Sequence, residues 1–281
     1  MQTLAFDGRM GASGDMLLAA LLAAGADPAA LDPVEAALDV RYEVGETDRN
    51  GIAAVTVDVV LTSEVAESDD DQQDGNGDAN DSVDGENHEH SDDHHGHSHG
   101  GDDQHDPGHG HEHHHEHHDH GDHDHEQHHE DHDHHDHHDH THAEGHGPSR
   151  TYDEVVGIVE EMGLPAAVTE RALAIFEILG EAEAAVHGSA LHETHFHEVG
   201  ADDAIADVVG ACLLLEDLDV ERVVTTPLAT GGGTVSMSHG TYPVPTPAVV
   251  EIAQRANWEL QGGPVDAELL TPTGAAILAQ V

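Results

Sequence analysis

GADDAIADVVGACLLLEDLDVERVVTTPL, residues 200–228, is the stretch on which the reading of the fold turns. Apolar side chains recur at helical spacing at Ile205, Val208, Val209, Cys212 and Leu215, which predicts a helix from Asp203 to about Leu218. ERVVTTPL, residues 221–228, follows as a β-branched run stopped by proline and predicts a strand. Asp203 and Asp207 lie one turn apart on one face of that helix, and carboxylates in a first turn also complement the helix N-terminus.

Working outward, the same helix–strand alternation recurs. Downstream, ATGGGTVSMSHGTYPVPTPA (229–248) reads as a long loop punctuated by glycine and proline. PAVVEIAQRA (247–256) reads as a helix and WELQG (258–262) as a short strand. TPTGAAILAQV (271–281) is a capped helix start with about two turns after it, either a short helix docked on the core or the beginning of something longer. Upstream, SRTYDEVVGIVEEMGL (149–164) predicts a helix capped by Ser149 or Thr151, and PAAVTERALAIFEILGEAEAAVHG (165–188) a long helix closed by Gly188. Near the N-terminus, TLAFD (3–7) predicts a buried strand, GRMGASGDM (8–16) a glycine-rich turn and GDMLLAALLAAG (14–25) a helix. A further helical stretch follows to about Leu38, and Asn50-Gly51 marks a hairpin within residues 42–61. The expected fold is α/β or α+β: a mixed sheet with packed helices.

Between these blocks lies a tract of another kind. From Ser63 to Ser149 there is almost no apolar residue, and 27 of the chain's 32 histidines fall there. Such a segment cannot bury enough apolar area to offset its chain entropy, so a long disordered His/Asp-rich insertion is expected. The expected organisation is therefore residues 1–62 and 150–281 as two parts of one folded domain, with 63–149 as a metal-binding insertion.

The formal net charge is -52, and the seven bases are all arginine. The tract holds 28 of the 59 acids, so an acidic surface extends over the rest of the chain as well. Such a surface needs abundant counterions, which suggests a halophilic cytoplasm. It gives no basic patch for nucleic acid. The N-terminus lacks a signal-peptide pattern, and no apolar run reaches membrane-span length. Cys212 is the only cysteine and reads as a buried thiol, so no disulfide forms within the chain. A soluble cytoplasmic protein, without nucleic-acid or membrane partners, is the expectation.

Three features carry candidate chemistry. In HFHE (195–198), strand-like alternation would point His195 and His197 to one face with Glu198 beside them, a donor set that suits Ni, Zn or Cu, although solvated loop histidines would look the same. In the tract, imidazoles such as His134, His135, His137 and His138 offer many donors without fixed geometry, which suits metal gathering or a solvating spacer but not catalysis. Two glycine-rich segments, one with Gly11, Ser13, Gly14 and Asp15 and one with Gly231, Gly232 and His239, would let backbone amides approach a phosphate, or would serve as plain turns.

Taken together the motifs resemble those of the LarC nickel-insertion family. HFHEVGADDAIADVVGA (195–211) resembles its central signature, and FDGRMGASGDM (6–16) its N-terminal D-x-x-x-G-x-S-G-D-M segment. SHGTYPVPTPA (238–248) resembles its HG-x-x-PVPAPA segment, with Thr246 where alanine is usual, and TPTGAAIL matches a further box. The resemblance implies a nickel chelatase, a metal-inserting lyase acting on pyridinium-3,5-bisthiocarboxylic acid mononucleotide to make the nickel-pincer cofactor of lactate racemase-type enzymes. It also implies use of CTP with Mn2+ or Mg2+, delivery to a racemase, and a C-terminal domain beyond these motifs, so that the chain is either a truncated form or one half of a split protein whose partner chain supplies that domain. A homo-oligomer is expected. On this reading His195, His197 and Glu198 handle nickel, Glu198, Asp203 and Asp207 serve catalysis, and Gly11, Ser13, Gly14, Asp15, Gly231, Gly232 and His239 face the substrate. The rival expectation is a nickel storage protein or metallochaperone without catalysis.

Overall fold

The computed structural model describes residues 2–49, 51–62, 149–196, 199–237 and 240–281. Tract residues His134, His135, His137 and His138 lie outside these, as do His197, Glu198 and His239.

The centre of the core is the helix read first. It spans Asp202–Asp217 (here α5), and its residues 208–215 are all buried, with Ile205, Val208, Val209, Cys212 and Leu214 at 0–1% exposure. An apolar helix buried all round needs neighbours on every side, and α5 has them. On one side packs α1 (Gly14–Ala23), through Leu17, Leu18 and Leu21. On others pack α4 (Ala166–His187) and α7 (Pro272–Gln280). Burial pushes the Cys212 thiol up to about 12, as expected for an inert core group.

The parts of the chain before and after the tract interleave. Strand β1 (Thr3–Phe6) pairs in parallel with β6 (Arg222–Thr225), Thr3 opposite Arg222 and Phe6 opposite Thr225. β2 (Val40–Arg49) and β3 (Ile52–Leu61) form the expected antiparallel hairpin. Its register sets Arg49 opposite Ile52, and Gly51 adopts the positive φ, +80°, that such a two-residue turn requires. Inward-facing Val57 and Val59 of β3 join the core beside α1.

The remaining strands are short. β4 (Arg150–Thr151) pairs antiparallel with β5 (His195–Phe196), and β7 (Leu228–Ala229) pairs in parallel with β10 (Leu260–Gln261). Parallel and antiparallel pairings thus coexist as expected, distributed over five two-stranded ladders among the described residues.

Helix starts follow the expected chemistry. Thr151 caps α3 (Tyr152–Glu161) in a full capping box with Glu154. Thr271 caps α7, accepting from the Gly274 amide at 3.2 Å. Two expectations are corrected. β1, read as a buried strand, leaves Thr3 and Ala5 exposed and Leu4 and Phe6 only partly covered. Residues 229–248, read as loop, contain an antiparallel hairpin, β8 (Thr234–Met237) and β9 (Gly240–Pro243), before α6 (Pro247–Ala253). Gly231–Gly233, Pro245 and Pro247 flank the paired stretch and Gly240 and Pro243 form its end pairs, so their density hid the alternation.

Candidate functional site

A cleft of about 490 Å³ lies where several helices begin. Ser13, Gly14 and Asp15 enter it from the start of α1, Asp203, Ala204 and Asp207 from α5, and Thr246, Pro247 and Ala248 from α6. Thr271, Pro272 and Thr273 enter from the start of α7, while Glu183 and His187 close the wall from the last turn of α4. Glu268 and the β8–β9 hairpin residues Ser236, Met237 and Tyr242 complete it. Helix starts present backbone amides and a positive dipole end, so a cleft built from several of them favours anionic groups, while the carboxylates around it favour a cation.

The helix register separates the three neighbouring acids of α5. Asp202 turns away from the cleft, where Arg150 donates to it at 2.7 Å and, from its other terminal nitrogen, to the Gly200 carbonyl at 2.7 Å. Asp203 and Asp207 remain on the cleft face, the i, i+4 relation expected for them.

Two supports fix this part of α5. Tyr42 of β2 is buried, and its hydroxyl donates to the Ala206 carbonyl at 2.7 Å. Burial, then the charges of Asp207 and Glu35, hold that phenol well above its ordinary pKa, so it stays a donor. Gly14 lies directly against Asp207: a Cβ added there would stand 1.9 Å from the Asp207 carboxylate. Only glycine lets α1 and α5 approach this closely.

The glycine segments divide in role. Ser13, Gly14 and Asp15 line the cleft, with the Ser13 hydroxyl hydrogen-bonded to the Asp15 carboxylate. Gly11, Gly231 and Gly232 do not line it. A Cβ on Gly11 would meet the Leu269 carbonyl at 1.8 Å, and one on Gly231 the Ala267 carbonyl at 1.8 Å. The Gly11 amide donates to Gly8 and the Gly232 amide to Ala267, at 3.0 and 3.2 Å. These three knit both loops to residues 267–269, the close backbone approach being to the chain itself.

His195 sits elsewhere. Phe196 points inward and is fully buried, whereas His195 is exposed on β5 opposite Thr151 and within electrostatic reach of Glu154. It does not line the cleft. Among the described residues no three His, Cys, Asp or Glu side chains converge on a metal position, although five carboxylates border the cleft. Hard divalent ions such as Mg2+ are commonly held by one or two carboxylates plus substrate phosphates rather than by an all-protein cage, so the Asp203–Asp207 pair fits an ion of that class arriving with a phosphorylated ligand.

Glu183, His187 and Glu268 carry no motif in the sequence, whereas Thr246 and Thr271–Thr273 lie in quoted motifs without being named there as site residues. Glu183 and His187 form an i, i+4 pair at 3.2 Å, a spacing legible on the helix, but nothing in the sequence ties it to Asp203. Thr246 carried one signal, the departure from the alanine usual in the resembling motif.

Comparison with known proteins follows the same direction. The sequence model described as "Nickel insertion protein" matches residues 4–281. A protein of Methanococcoides burtonii with nickel insertion protein in its name is 46% identical over 137 residues, which cover 49% of this chain and 34% of that protein. One of Methanosarcina mazei, similarly named, is 51% identical over 131 residues, covering 46% and 33%. The pyridinium-3,5-bisthiocarboxylic acid mononucleotide nickel insertion protein of Staphylococcus saprophyticus is 42% identical over 129 residues, covering 46% and 32%. The match thus spans about a third of the length of these curated relatives. No solved structure matches the chain. No described helix is long and apolar enough to cross a membrane.

Proposed function

The chain belongs to the nickel insertion protein family, and from that premise we propose that its cleft holds pyridinium-3,5-bisthiocarboxylic acid mononucleotide while nickel enters. The observation that carries this reading is the meeting of Asp203 and Asp207 with the start of α1 in one cleft. Helix starts suit the phosphate of a mononucleotide. The carboxylate pair suits a hard divalent ion accompanying phosphate, Mn2+ or Mg2+, in keeping with the proposed use of CTP.

Nickel is the cargo. Its entry displaces protons from the substrate's carbon and sulfur donors, and a positioned carboxylate of Asp203 or Asp207 would accept one. His195, His197 and Glu198 are proposed to receive nickel before transfer, with the 63–149 tract, including His134, His135, His137 and His138, as its reservoir. Glu198 and His239 are retained as site candidates, and Gly11, Gly231 and Gly232 act through the loops they join. The loaded cofactor would pass to a lactate racemase-type enzyme. The whole folded domain, 1–62 with 150–281, would work together with the region of the family that this chain does not span, as a homo-oligomer in a salt-rich cytoplasm.

A second reading, nickel storage without catalysis, draws support from the 27 histidines of the tract. Deleting residues 64–148 separates the two. Supplied with the region the chain does not span, the deleted protein should still give nickel-bound mononucleotide in a nucleotide-dependent reaction. Loss of bound nickel with the tract, and no product from the intact chain under the same conditions, would support storage instead.

A further inference from the structure

The sheet around β6 is incomplete on one flank. Residues 222–229 run as β6, a Thr226-Pro227 break, and β7. β10 pairs with β7, and Glu259 accepts from the Leu228 amide at 2.8 Å, but β10 does not reach β6. A second cleft of about 460 Å³ follows the whole of β6, from Arg222 to Pro227, with Asn257, Trp258 and Glu259 on one wall and Leu278 and Val281 of the α7 end also lining it.

Parallel strands are ordinarily buried on both faces and rarely stand as an isolated pair. Here β1 and β6 form a two-stranded parallel ladder whose residues are only partly covered. Trp258 adds a second sign: its Nε1 is buried without a hydrogen-bond partner among the described residues, although a buried indole N–H usually has one.

We infer that β6 is a docking edge for an extended strand contributed by the part of the nickel insertion proteins that this chain does not span. Such a strand would add main-chain hydrogen bonds along β6, in the manner of β-augmentation, and present an acceptor to Trp258. The Methanococcoides burtonii relative, of which the 137 matched residues are 34%, is about 400 residues long, over a hundred more than this chain, ample to supply it. The inference does not depend on the chemistry proposed for the first cleft.

Trp258 is the chain's only tryptophan, so its fluorescence reports on this groove alone. The probe is the part of the Methanococcoides burtonii relative that has no counterpart in residues 4–281 of this chain, supplied as a separate chain in high salt to the intact 281-residue protein. The expected result is a blue shift of Trp258 emission that saturates with the added chain, together with slowed amide exchange across residues 222–225. Absence of binding, or binding that leaves both signals unchanged, overturns the inference. So does the same shift arising from raised concentration of the 281-residue chain alone, which would make the occupant a second copy. Docking without any nickel-insertion product would leave this inference intact and count only against the function proposed above.

Discussion

β5 and the start of α5 are six residues apart in sequence, yet the structure gives them opposite surroundings. His195 stands exposed on a two-residue strand beside Thr151, while Asp203 and Asp207 border a cleft built from helix starts. The turn between them redirects the chain, so neighbours in sequence do not become neighbours in a site. What distinguishes the acids is the support behind them. α5 is buried from residue 208 to 215, Tyr42 holds its Ala206 carbonyl, Arg150 holds Asp202, and Gly14 presses on Asp207. The β5 segment is held by its two-residue pairing with β4, by the Ser149 hydroxyl donating to the Phe196 carbonyl at 3.1 Å, and by the buried Phe196 ring beneath it.

The largest expected effect tests the buried support. Tyr42 and Cys212 both keep their protons longer in the folded chain than in the unfolded one, because burial disfavours their charged forms. For Cys212 that contribution is complete below about pH 9 and is lost as pH rises toward about 12, and for Tyr42 it is likewise lost on the alkaline side. For the thiol alone the loss approaches roughly 4 kcal/mol at the alkaline end, by the conversion of about 1.4 kcal/mol per pKa unit. Urea unfolding across that range, compared with Cys212→Ala, should show the variant losing less stability than the parent.

Gly14→Ala is next. The added methyl cannot coexist with the Asp207 carboxylate, and relief by shifting α1 against α5 should cost about 1–3 kcal/mol. Thermal unfolding should show a clear fall in Tm. Arg150→Ala leaves Asp202 and the Gly200 carbonyl without their donor, in a pair whose side chains are each 17% exposed. A loss of about 1–2 kcal/mol is expected from denaturant titration, and Arg150→Lys should restore only part of it. His195→Ala should change stability by less than about 0.5 kcal/mol, as for an exposed side chain outside the core. A larger fall would mean that β5 carries structural weight, and would weaken the contrast with α5.

The helices were legible because their period is local. Ile205, Val208 and Cys212 announce the buried face of α5, and Thr151 with Glu154 announces the start of α3. Asn50-Gly51 announced the hairpin for the same reason. β8 and β9 were missed because three glycines and two prolines flank a paired stretch of only four residues per strand. Of the cleft, the Asp203–Asp207 pair and the Ser13–Asp15 turn were visible. Their meeting was not, since it depends on α1 packing across α5 through Gly14. Glu183, Thr246 and Glu268 reach the same place from elements whose packing no local pattern encodes. The glycines at 11 and 231 looked like phosphate loops because the requirement is identical: backbone must approach closely, and here what approaches is residues 267–269.

The central claim is that Asp203 and Asp207, held by α5 in the cleft, are needed for nickel transfer. It is tested most directly by the rate of nickel insertion into the mononucleotide by Asp203→Asn combined with Asp207→Asn, in the presence of the region that the chain does not span. A fall of about a hundredfold or more, with Tm and far-UV dichroism unchanged, is the predicted result for loss of a positioned base and ion-holding pair. Insertion at the parent rate by the doubly substituted protein would contradict it.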